Sequence, residues 1–317
     1  MTLEQAEALD AADPLASYRA QFMCPAGVIY LDGNSLGQLP LATVQAGAEA
    51  VTQAWGERLI RGWNEGWIDA PQRVGAMIAS LIGAAPDEVI SADSTSVNLY
   101  KLIVAALRLD PKRNVVVSEA GNFPTDLHIA EGAVAAVAGA ELRVVERGAL
   151  AEALGDDTAL LMLTHVHYKT AERFDMAAWT KAAHDAGALV CWDLSHSAGA
   201  VAVGLNAAGA DLAVGCGYKY LNGGPGAPAF LYVAKRWQER LYNPLSGWMG
   251  HAAPFEFADG YEAAPGMRRW LTGTPCVLSL VALESGLKLW ADIDIRQVET
   301  KSAALWDIFH AAGTAAR

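Results

Sequence analysis

Short apolar segments alternate with longer segments of helical character through the middle of the chain, and this alternation constrains the fold more than any other feature. The apolar segments carry few charges, as strands buried on both faces do. Strands that alternate with helices form a mainly parallel sheet covered by helices on both faces, so the sequence predicts an α/β fold. The predicted strands are residues 114–119, 142–146, 158–166, 188–195, 211–216 and 228–233.

Helical segments are predicted before, between and after these strands. Two of the segments begin with proline and end with glycine, which is the common asymmetry of helix ends. Another ends at Gly187, a residue type that often terminates helices. The predicted helices are residues 40–62, 71–83, 93–107, 174–187, 275–292 and 295–313.

Composition limits the class of protein. Of the 317 residues, 53% are hydrophobic and 18% are charged, which allows a substantial buried core. The net charge of −12 repels phosphodiester backbones and anionic lipids, so neither nucleic acid nor a membrane is expected as a partner. Acidic residues near the start, where a secretory signal would be basic, predict a cytoplasmic protein. Four scattered cysteines without a C-x-x-C pair predict neither a disulfide framework nor a metal site.

Several polar and aromatic residues follow the predicted strands directly. Phe123 and Asp126 follow the first strand, Asp193 and His196 lie at the end of strand 188–195, and Lys219 follows strand 211–216. Each residue alone could be structural, as a helix cap, a buried histidine or an exposed amine. Parallel sheets bind ligands beyond the carboxyl ends of their strands, so together these residues predict a site.

A lysine that meets an aspartate and an aromatic ring suits Schiff-base catalysis with pyridoxal phosphate. Lys219 would hold the cofactor aldehyde, Asp193 would keep the pyridine nitrogen protonated, and Phe123 would stack on the ring. The hydroxyls of Thr95 and Ser96, at the start of a predicted helix, would bind the phosphate. The glycine patterns of nucleotide-binding loops and the nucleophile elbow of serine hydrolases do not match this sequence.

Four motifs in register resemble those of the kynureninase family. They are YLDGNSLGQLP (30–40), NFPTD (122–126), DLSHSAGA (193–200) and GYKYLNGGPG (217–226). The resemblance runs from about Asp13 to the end of the chain. It implies the pyridoxal-phosphate-dependent transferase fold of fold type I. It also implies hydrolysis of L-kynurenine or 3-hydroxykynurenine to anthranilate or 3-hydroxyanthranilate and L-alanine, in tryptophan catabolism and the pathway to NAD.

The resemblance also implies roles for individual residues. Lys219 would carry the cofactor and shuttle the substrate Cα proton, and Tyr218 would help to hold the phosphate and act as an acid. Trp248 and Thr274 match positions that reach the cofactor phosphate of the neighbouring subunit, which implies a homodimer with shared active sites. Asp193 would be the third catalytic residue. The other cofactor-binding residues would be Thr95, Ser96, Phe123, Asp126, Thr164 and His196, and the substrate-facing residues would be Asn34, Ser35 and Trp63.

Three parts are predicted along the chain: an N-terminal segment 1–40, a large cofactor-binding domain 41–270, and a connection 271–317 that begins a small domain. Members of the family extend further, and their small domain supplies an arginine that binds the substrate α-carboxylate. Arg268 and Arg269 do not match that arginine, so this form is expected to bind cofactor better than it turns over substrate. The alternatives are another fold-type-I lyase or desulfurase, and a cofactor-binding homologue without activity.

Overall fold

A seven-stranded sheet in the order β1-β7-β6-β5-β4-β2-β3 runs through the molecule. Strand β7 pairs antiparallel with β1 and β6, and all other neighbours are parallel. Every strand except β3 is buried along its whole length, which explains the apolar runs in the sequence. The strands are β1 Val89–Ser91, β2 Val115–Glu119, β3 Glu141–Val145, β4 Thr158–Thr164, β5 Leu189–Asp193, β6 Leu212–Gly215 and β7 Phe230–Val233.

This architecture comes from a computed structural model that describes residues 3–315. Met1, Thr2, Ala316 and Arg317, which belong to the predicted terminal parts 1–40 and 271–317, lie outside the described residues. The α-helices are α1 Leu3–Ala12, α2 Leu41–Glu49, α3 Ala70–Ile82, α4 Thr95–Leu107, α5 Pro124–Ala135, α6 Leu150–Ala153, α7 Met176–Asp185, α8 Val277–Leu287 and α9 Ile295–Ala315.

Helices pack on both faces of the sheet, as the alternation of segments predicted. Neighbouring residues of β4 belong to opposite cores: Leu161 and Leu163 pack with α3, α7 and α8, whereas Leu160 and Met162 pack with α4 and α5. The predicted α/β class and the mainly parallel sheet are confirmed. Among residues 3–315, no helix combines the length and the apolar character that crossing a bilayer requires.

All six predicted strands are present, and their bounds differ from the predictions by only a few residues. Strand β1 was missed because three residues are too short to show a period in the sequence. Helix α3 ends at Gly83 with φ +65°, and Gly187, with φ +74°, follows α7, as both glycines predicted.

The prediction of one continuous helix over 40–62 is wrong. Helix α2 ends at Glu49, a π-helical stretch covers Ala50–Glu57, and a 3₁₀ turn covers Leu59–Trp63. Leu59 adopts φ +53°, which an α-helix does not permit. The segment buries almost none of its side chains, so little packing within this chain stabilises a regular helix there.

The predicted helix 275–292 is also shorter, because its last turn is 3₁₀ over Lys288–Asp292. The carboxyl ends of β1, β2, β4, β5 and β6 point to the same edge of the sheet. The segments that follow these strands therefore meet there, and this edge carries the candidate site.

Candidate active site

Lys219 lies in the turn after β6 and is only 8% exposed. Its Nζ donates a hydrogen bond to Nε2 of His196 at 2.6 Å, and it lies 5.8 Å from the ring centroids of both Phe123 and Tyr218. Burial and the nearby Lys219 cation lower the pKa of His196 from 6.5 to about 4, so its imidazole is neutral at pH 7 and can accept this bond. The structure thus brings together three residues that the sequence placed at one edge, Phe123, His196 and Lys219, with Tyr218, which the resemblance added.

Two carboxyl groups lie beside each other at the end of β5. Asp193 is 3% exposed, and its Oδ1 accepts the backbone N–H of Ser195 at 2.6 Å. Burial, and then the charge of Asp193 and a hydrogen bond to it, raise the pKa of Asp126 well above its usual value. The raised pKa favours the protonated form of Asp126 beside Asp193.

Thr164 stands next to this pair. Its hydroxyl donates to Oδ1 of Asn122 at 2.6 Å and lies 3.3 Å from Oδ2 of Asp126. The same Asn122 oxygen accepts the backbone N–H of Phe123 at 2.7 Å. Thr164 and Asn122 therefore link β4 to the start of α5, and this link fixes Phe123 and Asp126 relative to the sheet.

A cavity of about 450 Å³ lies between the N-terminus of α4 and the segment before α8. The hydroxyl of the N-cap Ser94 accepts the N–H of Val97 at 3.3 Å. The first N–H groups of a helix have no partner within it, so those of Thr95 and Ser96 are available to an anion. Three predicted residues, Thr95, Tyr218 and Thr274, line the cavity, and so do Asp93, Ser94, Cys216 and Cys276, which the sequence reasoning did not assign to the site.

Tyr218 joins this cavity to the lysine that follows it in the chain. Burial and the neighbouring thiol of Cys216 raise the pKa of Tyr218 to about 12. The phenol is therefore protonated at neutral pH and can donate a proton or a hydrogen bond. All four cysteines are free thiols, and within residues 3–315 no group of His, Cys, Asp or Glu side chains is arranged to hold a metal ion.

The segment that contains Asn34 and Ser35 packs on the turn of Lys219. The N–H of Gly37 donates to the carbonyl of Tyr218 at 2.9 Å. A Cβ on Gly37 would overlap the carbonyl oxygen of Lys219, so this close approach requires glycine. Asn34 and Ser35 themselves are exposed, and neither lines the groove of about 900 Å³ that Gly33, Gly37 and Lys219 line.

The two predicted tryptophans lie away from the amine in this chain. The rings of Trp63 and Trp248 are 6.4 Å apart, and Trp67 and Phe255 extend this aromatic cluster at 5.8 and 5.9 Å. Neither Trp63 nor Trp248 lines the cavity or the groove. The structure therefore does not bring Trp63 together with Phe123 as a common apolar wall.

Comparison with known proteins identifies the family. The aminotransferase class-V family model matches residues 29–312. A kynureninase of Deinococcus radiodurans is 50% identical over 315 residues, which cover 98% of this chain and 77% of that protein. The chain belongs to the kynureninase family. The match spans about three quarters of the length of that relative.

Solved structures agree with the fold. The cysteine desulfurase CsdA of Escherichia coli superposes with a TM-score of 0.76 at 21% identity, over 92% of this chain and 75% of that chain. A mutant of C-DES, solved with glycine covalently linked to its pyridoxal-phosphate cofactor, gives a TM-score of 0.74 at 19% identity, over 86% and 73% of the two chains. These similarities confirm fold type I, the predicted fold.

Pyridoxal phosphate is the cofactor of the kynureninase family, and this chain is an enzyme of that family. The residues at the edge of the sheet fit the cofactor. The buried amine of Lys219 lies 5.8 Å from the ring centroid of Phe123, and the Asp193 carboxyl and this amine both act electrostatically on Asp126 and His196. The cavity beside them has helix N–H groups and hydroxyls that suit a phosphate. The predicted cofactor is confirmed.

Proposed function

We propose that this chain hydrolyses L-kynurenine, or its 3-hydroxy form, to anthranilate, or 3-hydroxyanthranilate, and L-alanine. The observation that carries the proposal is the buried amine of Lys219, hydrogen-bonded to a neutral His196 at the carboxyl edge of the sheet. It occurs in a chain that is 50% identical to a kynureninase over nearly its whole length. Tryptophan catabolism is the corresponding metabolic context.

The cofactor would be held by groups on several elements. Lys219 would bond to its aldehyde, Asp193 would face the ring nitrogen, and Phe123 would cover the ring. Thr95 and Ser96, at the start of α4, would bind the phosphate together with Tyr218. When bound, pyridoxal phosphate supplies an electron sink that stabilises negative charge at the substrate Cα.

The protein side chains would supply the proton transfers. The amine of Lys219 would take and return the Cα proton, and it would serve as the base for the water that attacks the ketone. His196 is neutral at pH 7 and accepts a hydrogen bond from Nζ, so it orients the amine without a competing charge. Tyr218, with its pKa raised to about 12, would act as a proton donor and not as a base.

The proposal includes a homodimer in which Trp248 and Thr274 reach the partner's cofactor; Thr274 also lines the cavity of its own chain, whereas Trp248 lines neither that cavity nor the groove. Its support is the apolar surface of residues 29–60, where Ile29, Leu31 and Ile60 are 75% exposed or more. Monomers rarely expose large contiguous apolar patches. A mixture of Lys219→Ala and Thr274→Ala chains should regain activity that neither has alone, because hybrid dimers rebuild one intact site. No recovery after mixing and refolding would contradict shared sites.

We also propose a cytoplasmic location, which four free thiols support because cytoplasmic proteins rarely form disulfides. The division of the chain at residues 40 and 270 into an N-terminal segment, a large domain and a connection to a small domain stays a prediction.

Turnover tests the main proposal. Purified protein, supplied with pyridoxal phosphate and then kynurenine, should produce the fluorescence of anthranilate. Lys219→Ala should lower the rate by about 10³-fold or more, and Lys181→Ala, at an exposed ion pair with Asp185, is the matched control. Sulfide release from cysteine without anthranilate would favour a desulfurase, and cofactor absorbance without any turnover would favour a cofactor-binding homologue.

A further inference from the structure

One buried cation lies beside the cavity and has no role in the proposed reaction. The side chain of Lys101, in α4, is 0% exposed. Its Nζ forms an ion pair with Oδ2 of Asp93 and donates a hydrogen bond to the carbonyl of Trp270 at 2.7 Å. Burial lowers the pKa of Lys101, and the charge of Asp93 opposes that change. A buried lysine is costly unless it is paired, so its position calls for a reason.

Asp93 lies in the turn between β1 and α4 and lines the cavity. Its backbone has φ +49°, a conformation that few residues other than glycine, asparagine and aspartate adopt readily. Its carbonyl accepts the N–H of Ala229 at 2.9 Å, which ties the turn to the start of β7. A carboxylate is thus held at the same helix N-terminus that would receive the phosphate, where it would repel a dianion.

Trp270, the second partner of Lys101, leads directly into the opposite wall of the cavity. Leu271, Thr272 and Thr274 line that wall. Lys101 therefore binds Asp93, which lines the cavity, and the carbonyl of Trp270, which directly precedes the opposite wall. One ammonium group thus pairs with the carboxylate and connects the two segments that carry the walls.

We propose that Lys101 is a positioning residue for the phosphate group of the cofactor, acting through Asp93 and Trp270. This inference rests on the proposed use of the cavity for the phosphate. Lys101 reaches neither substrate nor reacting atoms, so its effect is on the affinity for the phosphate and not on the proton transfers at Lys219.

The experiment compares ligands that differ only in the phosphate. Apoprotein carrying Lys101→Met should bind pyridoxal phosphate and inorganic phosphate about tenfold or more weakly than the wild type. Its affinity for pyridoxal, which lacks the phosphate, should change by less than about threefold. Titration calorimetry measures the affinity for inorganic phosphate. Absorbance of the lysine-bound chromophore measures the affinities for pyridoxal and pyridoxal phosphate. Lys181→Met, at an exposed lysine, is the control.

Asp93→Asn provides the second variant. Asparagine tolerates the φ of this turn and removes the carboxylate, so inorganic phosphate should bind at least as tightly as to the wild type. The double variant Lys101→Met/Asp93→Asn should recover most of the phosphate affinity that Lys101→Met loses, because the uncompensated charge is gone.

The inference would be overturned if Lys101→Met lost equal affinity for pyridoxal and for pyridoxal phosphate, or lost affinity for neither. If Lys101→Met does not fold, as judged by circular dichroism and thermal unfolding of the apoprotein, Asp93→Asn decides alone, and weaker phosphate binding in that variant would overturn it. Wild-type protein that fails to take up pyridoxal phosphate at all would instead contradict the proposed function, so the two failures are distinguishable.

Discussion

One aspartate is buried at each edge of the sheet, and different groups surround the carboxyl at the two edges. At the amino edge Asp211 is fully buried and accepts four hydrogen bonds, from His184, Arg236, the N–H of Val190 and the indole of Trp237. At the carboxyl edge Asp193 accepts one backbone N–H and faces a second carboxyl group.

This difference separates a structural carboxylate from a functional one. Asp211 uses both oxygens for groups of the protein, including the guanidinium of Arg236, so it has no capacity left for a ligand. Asp193 accepts a single hydrogen bond, from the N–H of Ser195, and lies beside the carboxyl group of Asp126, so its oxygens have capacity left for a ligand. A cationic ligand group at that edge would complete the site, as a protonated pyridine nitrogen does.

Removing the charge at the carboxyl edge should have the largest effect. Asp193→Asn keeps the shape but no longer stabilises a protonated ring nitrogen, so kcat should fall by about 10³-fold. The midpoint of thermal unfolding of the apoprotein should change little, because few bonds within the chain depend on this charge. Steady-state kinetics and calorimetry on one preparation measure kcat and the unfolding midpoint. An unchanged kcat would show that Asp193 has no role in the reaction.

The reverse pattern is expected at the amino edge. Asp211→Asn replaces one acceptor oxygen by a donor that faces other donors, which should lower the free energy of unfolding by about 3 kcal/mol. The kcat of the folded fraction should stay within about twofold, because no residue around Asp211 lines the cavity. Urea denaturation measures the stability, and activity is measured at urea concentrations below the unfolding transition. A large loss of kcat without a loss of stability would contradict the structural role of Asp211.

The smallest effect is expected at Asp126. Because the raised pKa favours the protonated form of Asp126, Asp126→Asn is nearly isosteric and isoelectronic with that form, and kcat should fall by less than about tenfold. A loss as large as that of Asp193→Asn would mean that Asp126 is the anionic member of the pair.

The pH dependence of stability gives a second measure of Asp126. Its pKa is raised in the folded state, so above the ordinary value of 3.8 the folded chain holds a proton that the unfolded chain has released. The free energy of unfolding therefore falls as pH rises from about 4 toward the raised pKa. In Asp126→Asn the free energy of unfolding should fall less steeply with pH over this range. Denaturant titrations of the apoprotein at several pH values measure this slope.

The buried part of the fold could be predicted closely from the sequence. Strands β2 and β4 to β7 are apolar on both faces, so composition alone revealed them, and Gly83 and Gly187 marked helix ends because they adopt positive φ. The segment 40–62 could not be predicted, because its periodic apolar residues face outward and the α-helix gives way to π and 3₁₀ turns.

The site was predictable only in part. Lys219, Asp193 and Phe123 follow strands, and parallel topology brings the ends of parallel strands together. Ser94 could have been found as a helix N-cap just before Thr95. Lys101 could not, since a lysine within an apolar helix is indistinguishable in sequence from one whose amine reaches solvent.

The sequence by itself determined which residues enter strands and helices, and hence which side chains reach one edge of the sheet. Tertiary structure alone decided their electrostatics and their partners: that burial and Asp193 raise the pKa of Asp126, that His196 is neutral at pH 7, and that Lys101 binds both Asp93 and the carbonyl of Trp270. The reason is physical. Secondary structure follows from local patterns along the chain, whereas burial and charge depend on groups that folding brings together from distant positions.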